Sequence, residues 1–279
     1  MRLSRFVLLG VAVSAMVGCS EPSDGPTTPN IPPLAYVRYI NAVPDTLGTT
    51  VRFIDQVDYS PISWANVQFR GLGQGNYQPT EAKARKFRVF TYSADVSTAG
   101  NTNILVDTTI TFDAGKYYTL LHLGYARAGS APKQRIVVIT DALPATPAGI
   151  AFRAIHAGLD VGNVDIYATA TTTDAITGAP LLANVSLNTV SAYLARATGA
   201  FAARVTAPGS TTAVISAAAP AGTAGSSSVD PLGGATIAGS IITAIAFPAT
   251  PANSAGARFT TPGVVYFIDK QPPRTTPNP

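Results

Sequence analysis

His156 is one of the two side chains of this 279-residue chain best suited by type to move a proton, because an imidazole titrates near neutral pH. Asp160, Asn163 and Asp165 follow it closely. A ring nitrogen with carboxylates nearby could serve acid–base chemistry, and the three oxygen-bearing side chains could hold calcium. The pattern supports neither strongly. The glycine and closing glutamate of a calcium loop are missing, and the matching histidine position in an earlier stretch of the chain is Asn41, which is neither acid nor base. A polar group that caps a strand end or binds a turn backbone accounts for both residues. His122, inside Tyr118-Thr119-Leu120-Leu121-His122-Leu123, sits in a strand-like run and reads as structural. With two histidines, one cysteine and no HExxH spacing, a zinc site is not expected. No G-x-S-x-G marks a serine nucleophile, and Gly71-Leu72-Gly73-Gln74-Gly75 lacks the Lys-Ser/Thr of a phosphate loop. The expectation is therefore no catalytic residue, no metal, no cofactor and no enzyme.

Other residues could bind rather than react. Trp64 invites sugar stacking, but its counterpart later in the chain is Leu182, which points to a core position. Tyr36, Tyr59 and Tyr125 remain as surface aromatics. Lys83, Arg85, Lys86 and Arg88 could meet an anionic polysaccharide, or could guard a strand against edge-to-edge pairing. His156, Asp160 and Trp64 are the candidate binding residues.

Cys19 is the only cysteine, which removes disulfide staples and thiolate metal sites from the alternatives. It closes a run that begins with Arg2 and Arg5 and continues through the apolar stretch from Phe6 to Val17. A charged start, a short apolar stretch and a small residue before the cut describe a secretion signal, too short to be a permanent membrane helix. Met16-Val17-Gly18-Cys19 resembles a bacterial lipobox, which implies a lipid on Cys19. The formal charge of +4 falls by two once Arg2 and Arg5 are removed, so the pI of 9.2 does not argue for nucleic acid. The expected partners are a membrane, through that lipid, and a protein or glycan ligand.

The elements that must position these residues are strands. Val37-Arg38-Tyr39-Ile40, Val51-Arg52-Phe53-Ile54, Phe87-Arg88-Val89-Phe90 and Val164-Asp165-Ile166-Tyr167 are β-branched and aromatic, with Gly, Pro, Asn and Asp clusters between them. An internal repeat orders them. Val37-Arg38-Tyr39-Ile40-Asn41-Ala42 matches Phe152-Arg153-Ala154-Ile155-His156-Ala157, with Asp45 and Asp160 three residues on. Trp64-Ala65-Asn66-Val67 matches Leu182-Ala183-Asn184-Val185, Tyr77 matches Tyr193, and Arg88-Val89 matches Arg204-Val205. Ala114 to Thr119 matches Ala238 to Thr243. Each copy covers about 115 residues, a usual domain size. The predicted organisation is a signal peptide over 1–18, a Pro-rich tether over 19–33, a first β-sandwich over 34–145, a second over 149–270 and a Pro-rich tail over 271–279. Ala217 to Pro231 reads as a long loop.

The second copy carries Ile155-His156-Ala157, Asp160, Val164-Asp165-Ile166-Tyr167 and Arg204-Val205-Thr206-Ala207-Pro208-Gly209-Ser210. These residues resemble the bacterial exported DUF 4397 family, whose copies open with Val-x-His-Ala-Ser-Pro-Asp followed by Val-Asp-Val-Tyr. Gly158-Leu159 replaces the Ser-Pro pair here, and the first copy keeps Pro44-Asp45. The resemblance implies an all-β fold of two tandem Ig-like antiparallel sandwiches at the cell surface, and it brings no activity. The expected function is a lipid-anchored cell-envelope protein, in the outer membrane or at the cell surface, serving adhesion, scaffolding or ligand display. The alternative is a carbohydrate-binding surface module.

Overall fold

Asn66 and Asn184, matched in the repeat, both have left-handed backbone, with φ of 53° and 49°. Asparagine tolerates that region better than other non-glycine residues. Each sits in a strand whose pairing shifts register opposite it, so the same Ala-Asn-Val run makes the same bulge twice. Arg70 and Asn188 repeat the left-handed position four residues on, with φ of 65° and 69°. A computed structural model describes residues 32–55, 63–94, 103–256 and 258–274. The signal peptide with Cys19, nearly all of the tether, Tyr59 and the end of the Pro-rich tail lie outside the described residues.

Every regular element among the described residues is a strand. The first half holds β1 (Leu34–Ala42), β2 (Thr49–Phe53), β3 (Ser63–Val67), β4 (Gly71–Leu72), β5 (Gln78–Glu81), β6 (Ala84–Thr91), β7 (Ile104–Thr111), β8 (Tyr117–Leu123) and β9 (Arg135–Asp141). The second half holds β10 (Ile150–His156), β11 (Val164–Thr169), β12 (Leu182–Val185), β13 (Leu194–Arg196), β14 (Ala202–Thr206), β15 (Ala213–Ala218), β16 (Ile241–Phe247) and β17 (Gly263–Lys270). Sheet order is β4-β1-β8-β9, with β5 also on β1, and β3-β2-β6-β7 in the first half. It is β13-β10-β16-β17 and β12-β11-β14-β15 in the second. The two halves therefore carry one strand order.

That order departs from the Ig-like arrangement the family resemblance implied. In immunoglobulin domains the first strand lies at a sheet edge. Here β1 pairs in parallel with β8, and β10 with β16, so the first strand of each half is central in its sheet. Burial gives the reason. From Val37 onward alternation would turn Arg38, Ile40 and Ala42 of β1 to water, yet all three are fully buried, and every residue of β10 is buried. A strand buried on both faces needs a sheet neighbour on each side and a layer above and below.

One core fills the space between the two sheets of the first half, built on Val37, Tyr39, Val51, Phe53, Trp64, Phe87 and Leu120. A second fills the other half with Phe152, Ile166, Phe201, Val205 and Ile242. A third cluster takes residues from both halves, with Ile40, Leu121 and Ile139 packed among Ile155, Ile245, Phe247 and Phe267. The chain from Pro33 onward is one compact unit. The stretch after β15 runs without a strand to β16, apart from a single bridge between Thr223 and Leu232.

His122 lies at the boundary of the first core. The Tyr39 hydroxyl contacts its Nδ1 at 2.8 Å, and the Gln134 side-chain oxygen contacts its Nε2 at 2.9 Å. Gln134 Oε1 can only accept, so Nε2 carries the proton and Nδ1 accepts from tyrosine. Burial lowers the ring's pKa from 6.5 to about 4. Because the folded ring resists protonation that the unfolded chain accepts, stability should fall as pH drops from about 6.5 towards 4, by up to about 3 kcal/mol. Urea denaturation across that range should show this slope in the native chain, and His122→Gln should flatten it.

Candidate functional site

His156 and Asn41 each bond the turn that follows their strand. His156, at the end of β10, donates from Nε2 to the Gly162 carbonyl at 2.7 Å and accepts the Gly158 amide on Nδ1 at 3.2 Å. Burial pushes its pKa below the ordinary value. Asn41 holds the matched position on β1: it accepts the Val43 amide at 3.0 Å and donates to the Val67 carbonyl at 2.9 Å. Imidazole and amide thus hold the same amide, two residues ahead. Asp45 accepts the amides of Ala126 and Arg127 at 2.8 and 2.9 Å. Asp160, its partner in the repeat, is exposed. Asp165 accepts the amides of Asn184 and Gly209, both at 2.7 Å, and these bonds hold its carboxyl below the usual range. Asn163 donates to Asn184 at 3.0 Å. Among the described residues no group of three or more metal-ligating side chains gathers.

Trp64 cannot serve as a sugar platform, which corrects its place among the binding candidates. It is 1% exposed, stacks on Tyr39 at 6.2 Å and donates to the Gln74 carbonyl at 3.1 Å. Gly73 lies so close that a Cβ there would stand 2.4 Å from the indole. Tyr36 and Tyr125 are half-buried, and Tyr36 stacks face to face on Tyr117 at 4.8 Å. The basic run on β6 is divided by the pleat. Arg85 is buried beside Asp55 and Thr80, whereas Lys86 and Arg88 lie outward near Asp107 and Lys83 pairs with Glu81.

The densest polar cluster is elsewhere, where the β1-β8-β9 sheet faces the β10-β16-β17 sheet. Arg38 Nη1 on β1 donates to Asp269 on β17 at 2.6 Å, and Arg153 Nη2 on β10 donates to Asp141 on β9 at 2.6 Å. Each arginine therefore bonds the carboxylate of the other half. Each Nε stays within its own sheet, Arg38 to Thr119 and Arg153 to Thr243, both at 2.8 Å. Thr119 donates onward to Asp141 at 2.6 Å, and Thr243 to Asp269. Tyr77 completes one side by donating to Asp141 at 2.7 Å, and Tyr193 the other by donating to Asp269. The guanidinium of Arg38 lies 4.6 Å from the Tyr77 ring centre, and that of Arg153 lies 4.6 Å from the Tyr193 ring centre. This is the reciprocity of a two-fold interface, here inside one chain.

Two arginines and two aspartates cancel in a place almost closed to water, with the four side chains 0 to 3% exposed. Burial alone would pull both guanidinium groups down, but the neighbouring carboxylates more than offset it and both stand above their ordinary value. Burial drives the Tyr77 and Tyr193 hydroxyls up, so both remain protonated donors. Arg38 Nη2 is a buried nitrogen of this cluster without a hydrogen-bond partner among the described residues. Further bonds cross beside the cluster: Asn76 donates to the Ile268 carbonyl at 3.0 Å, and Arg70 to those of Pro248 and Thr261, both at 2.7 Å.

No motif in the sequence marks this cluster. Arg38, Arg153, Thr119 and Thr243 lie inside the quoted repeat, and a charge retained twice in the middle of an apolar strand was the available signal. Asp141 and Asp269 carried none, because nothing local says that the two sheets face each other.

The described residues thus form an all-β structure with a buried charge cluster between facing sheets. Residues 35–167 match the family described as a domain of unknown function, DUF4397. The match covers the first half and runs through β10 into β11, and it supports the family. No curated protein matches the chain.

Removing one partner of a buried pair leaves an uncompensated charge, which typically costs about 3–5 kcal/mol. Arg153→Met should destabilise the fold by that order, and Asp141→Asn in the same chain should recover part of the loss. A double-mutant cycle measured by chemical denaturation checks the coupling.

Proposed function

We propose that this chain is a non-enzymatic, lipid-anchored cell-envelope protein built from two tandem DUF4397 copies, 34–145 and 149–270. The signal over 1–18 directs export, lipid on Cys19 anchors the chain in the outer membrane or at the cell surface, and the Pro-rich segment to residue 33 holds the folded part off the bilayer. The folded part serves adhesion, scaffolding or ligand display. The observation that carries this reading is the reciprocal Arg–Asp exchange, which ties the two halves together and so suits a module that presents a surface. The motif residues fit the same picture, since His156 and Asn41 bond the turns that follow their strands and Asp45 spends its carboxylate on the backbone amides of Ala126 and Arg127.

Cys19→Ser tests the anchor. In a bacterial host the native chain should fractionate with membranes and take up a clickable fatty-acid label, and the variant should lose both. A native chain that stays soluble and unlabelled contradicts the proposal.

A further inference from the structure

The two halves differ most informatively at the edge of the second. Arg196, the last residue of β13, pairs across the sheet with Ile150, and the corresponding partner of Ala35 in the first half is Thr80. Thr80 is buried and accepts a bond from Arg85, whereas Arg196 is exposed and forms no ion pair among the described residues. Its guanidinium lies over the Phe201 ring, 5.1 Å from the ring centre. It lines a cleft of about 360 Å³, together with Asp174, Thr177 and Leu181. That volume is at the lower end of small-molecule sites, which span about 300–1,000 Å³.

The chemistry of the cleft has three separate parts. Arg196 offers a planar fork of donors suited to a carboxylate. Asp174 is anchored by the amide and hydroxyl of Thr171, at 2.8 and 2.6 Å, and these bonds keep it ionised, a fixed acceptor for ligand hydroxyls. The cleft shares Ala168, Leu181 and Arg196 with an apolar pit of about 50 Å³ closed by Phe152 and Phe201. Its apolar lining suits a small acyl group.

We propose that this cleft binds an N-acylated sugar acid, with its carboxylate on Arg196, ring hydroxyls on Asp174 and Thr177, and the acyl methyl in the pit. Both signs of charge line one mouth without pairing, so a ligand that brings an anion and hydroxyl donors together satisfies it. A simple anion would meet Asp174 unshielded, and a neutral sugar would leave Arg196 unmatched. The inference stands apart from the anchoring proposal and does not depend on Cys19.

Isothermal titration of the purified chain with N-acetylmuramic acid tests it. The expected result is saturable binding, at least tenfold weaker with N-acetylglucosamine, which lacks the carboxylate, and with glucuronic acid, which lacks the acyl group. Arg196→Gln, at an exposed position, should weaken N-acetylmuramic acid binding at least tenfold with unchanged thermal stability. Ala168→Leu, which fills the pit, should erase the preference for N-acetylmuramic acid over glucuronic acid. No binding of N-acetylmuramic acid, equal binding of N-acetylglucosamine, or unchanged affinity in Arg196→Gln would overturn the assignment.

Discussion

Arg38 and Arg153 each reach past their own sheet to a carboxylate of the other half, and much of the architecture follows from accommodating that exchange. An isolated buried charge is among the costliest things a core can hold, so neither arginine could occupy a strand covered on both faces without its partner in place. The partner lies in the other half. Within the second half Arg153 comes no nearer to its own Asp269 than a looser 3.8 Å contact, against 2.6 Å to Asp141 of the first half. Thr119 and Thr243 turn the two pairs into one network, and the two tyrosines close it from the side.

The exchange also explains why the central strands look as they do. β1 and β10 send alternate residues into their own cores, Val37 and Tyr39 on one strand and Phe152 and Ala154 on the other. The remaining residues form the contact between halves: first a charged level at Arg38 and Arg153, then an apolar level at Ile40 and Ile155. Charge fixes the register of that contact and apolar area supplies most of its stabilisation, since buried ion pairs gain little against their desolvation.

Much of this was legible in the residues. Repeat spacing gave the twofold organisation of strands, and Leu182 opposite Trp64 pointed to a core tryptophan. Asn41 opposite His156 pointed away from proton chemistry, and the two side chains hold the same turn amide. What remained hidden was of one kind. Alternation along a strand tells which residues share a face, not which strand lies beside it or which sheet lies opposite. The parallel pairing of β1 with β8, the departure from immunoglobulin order and the partnership of Arg38 with Asp269, 231 residues away, all belong to that missing information. The Arg196 cleft was equally invisible, because it depends on a strand edge meeting a loop.

If the exchanged arginines make one folding unit of two repeats, neither half should melt alone. Differential scanning calorimetry of the chain near neutral pH tests this directly. A single transition, with calorimetric and van't Hoff enthalpies in agreement, is the predicted result. Two resolved transitions, or a calorimetric enthalpy well above the van't Hoff value, would show independent halves and contradict the account.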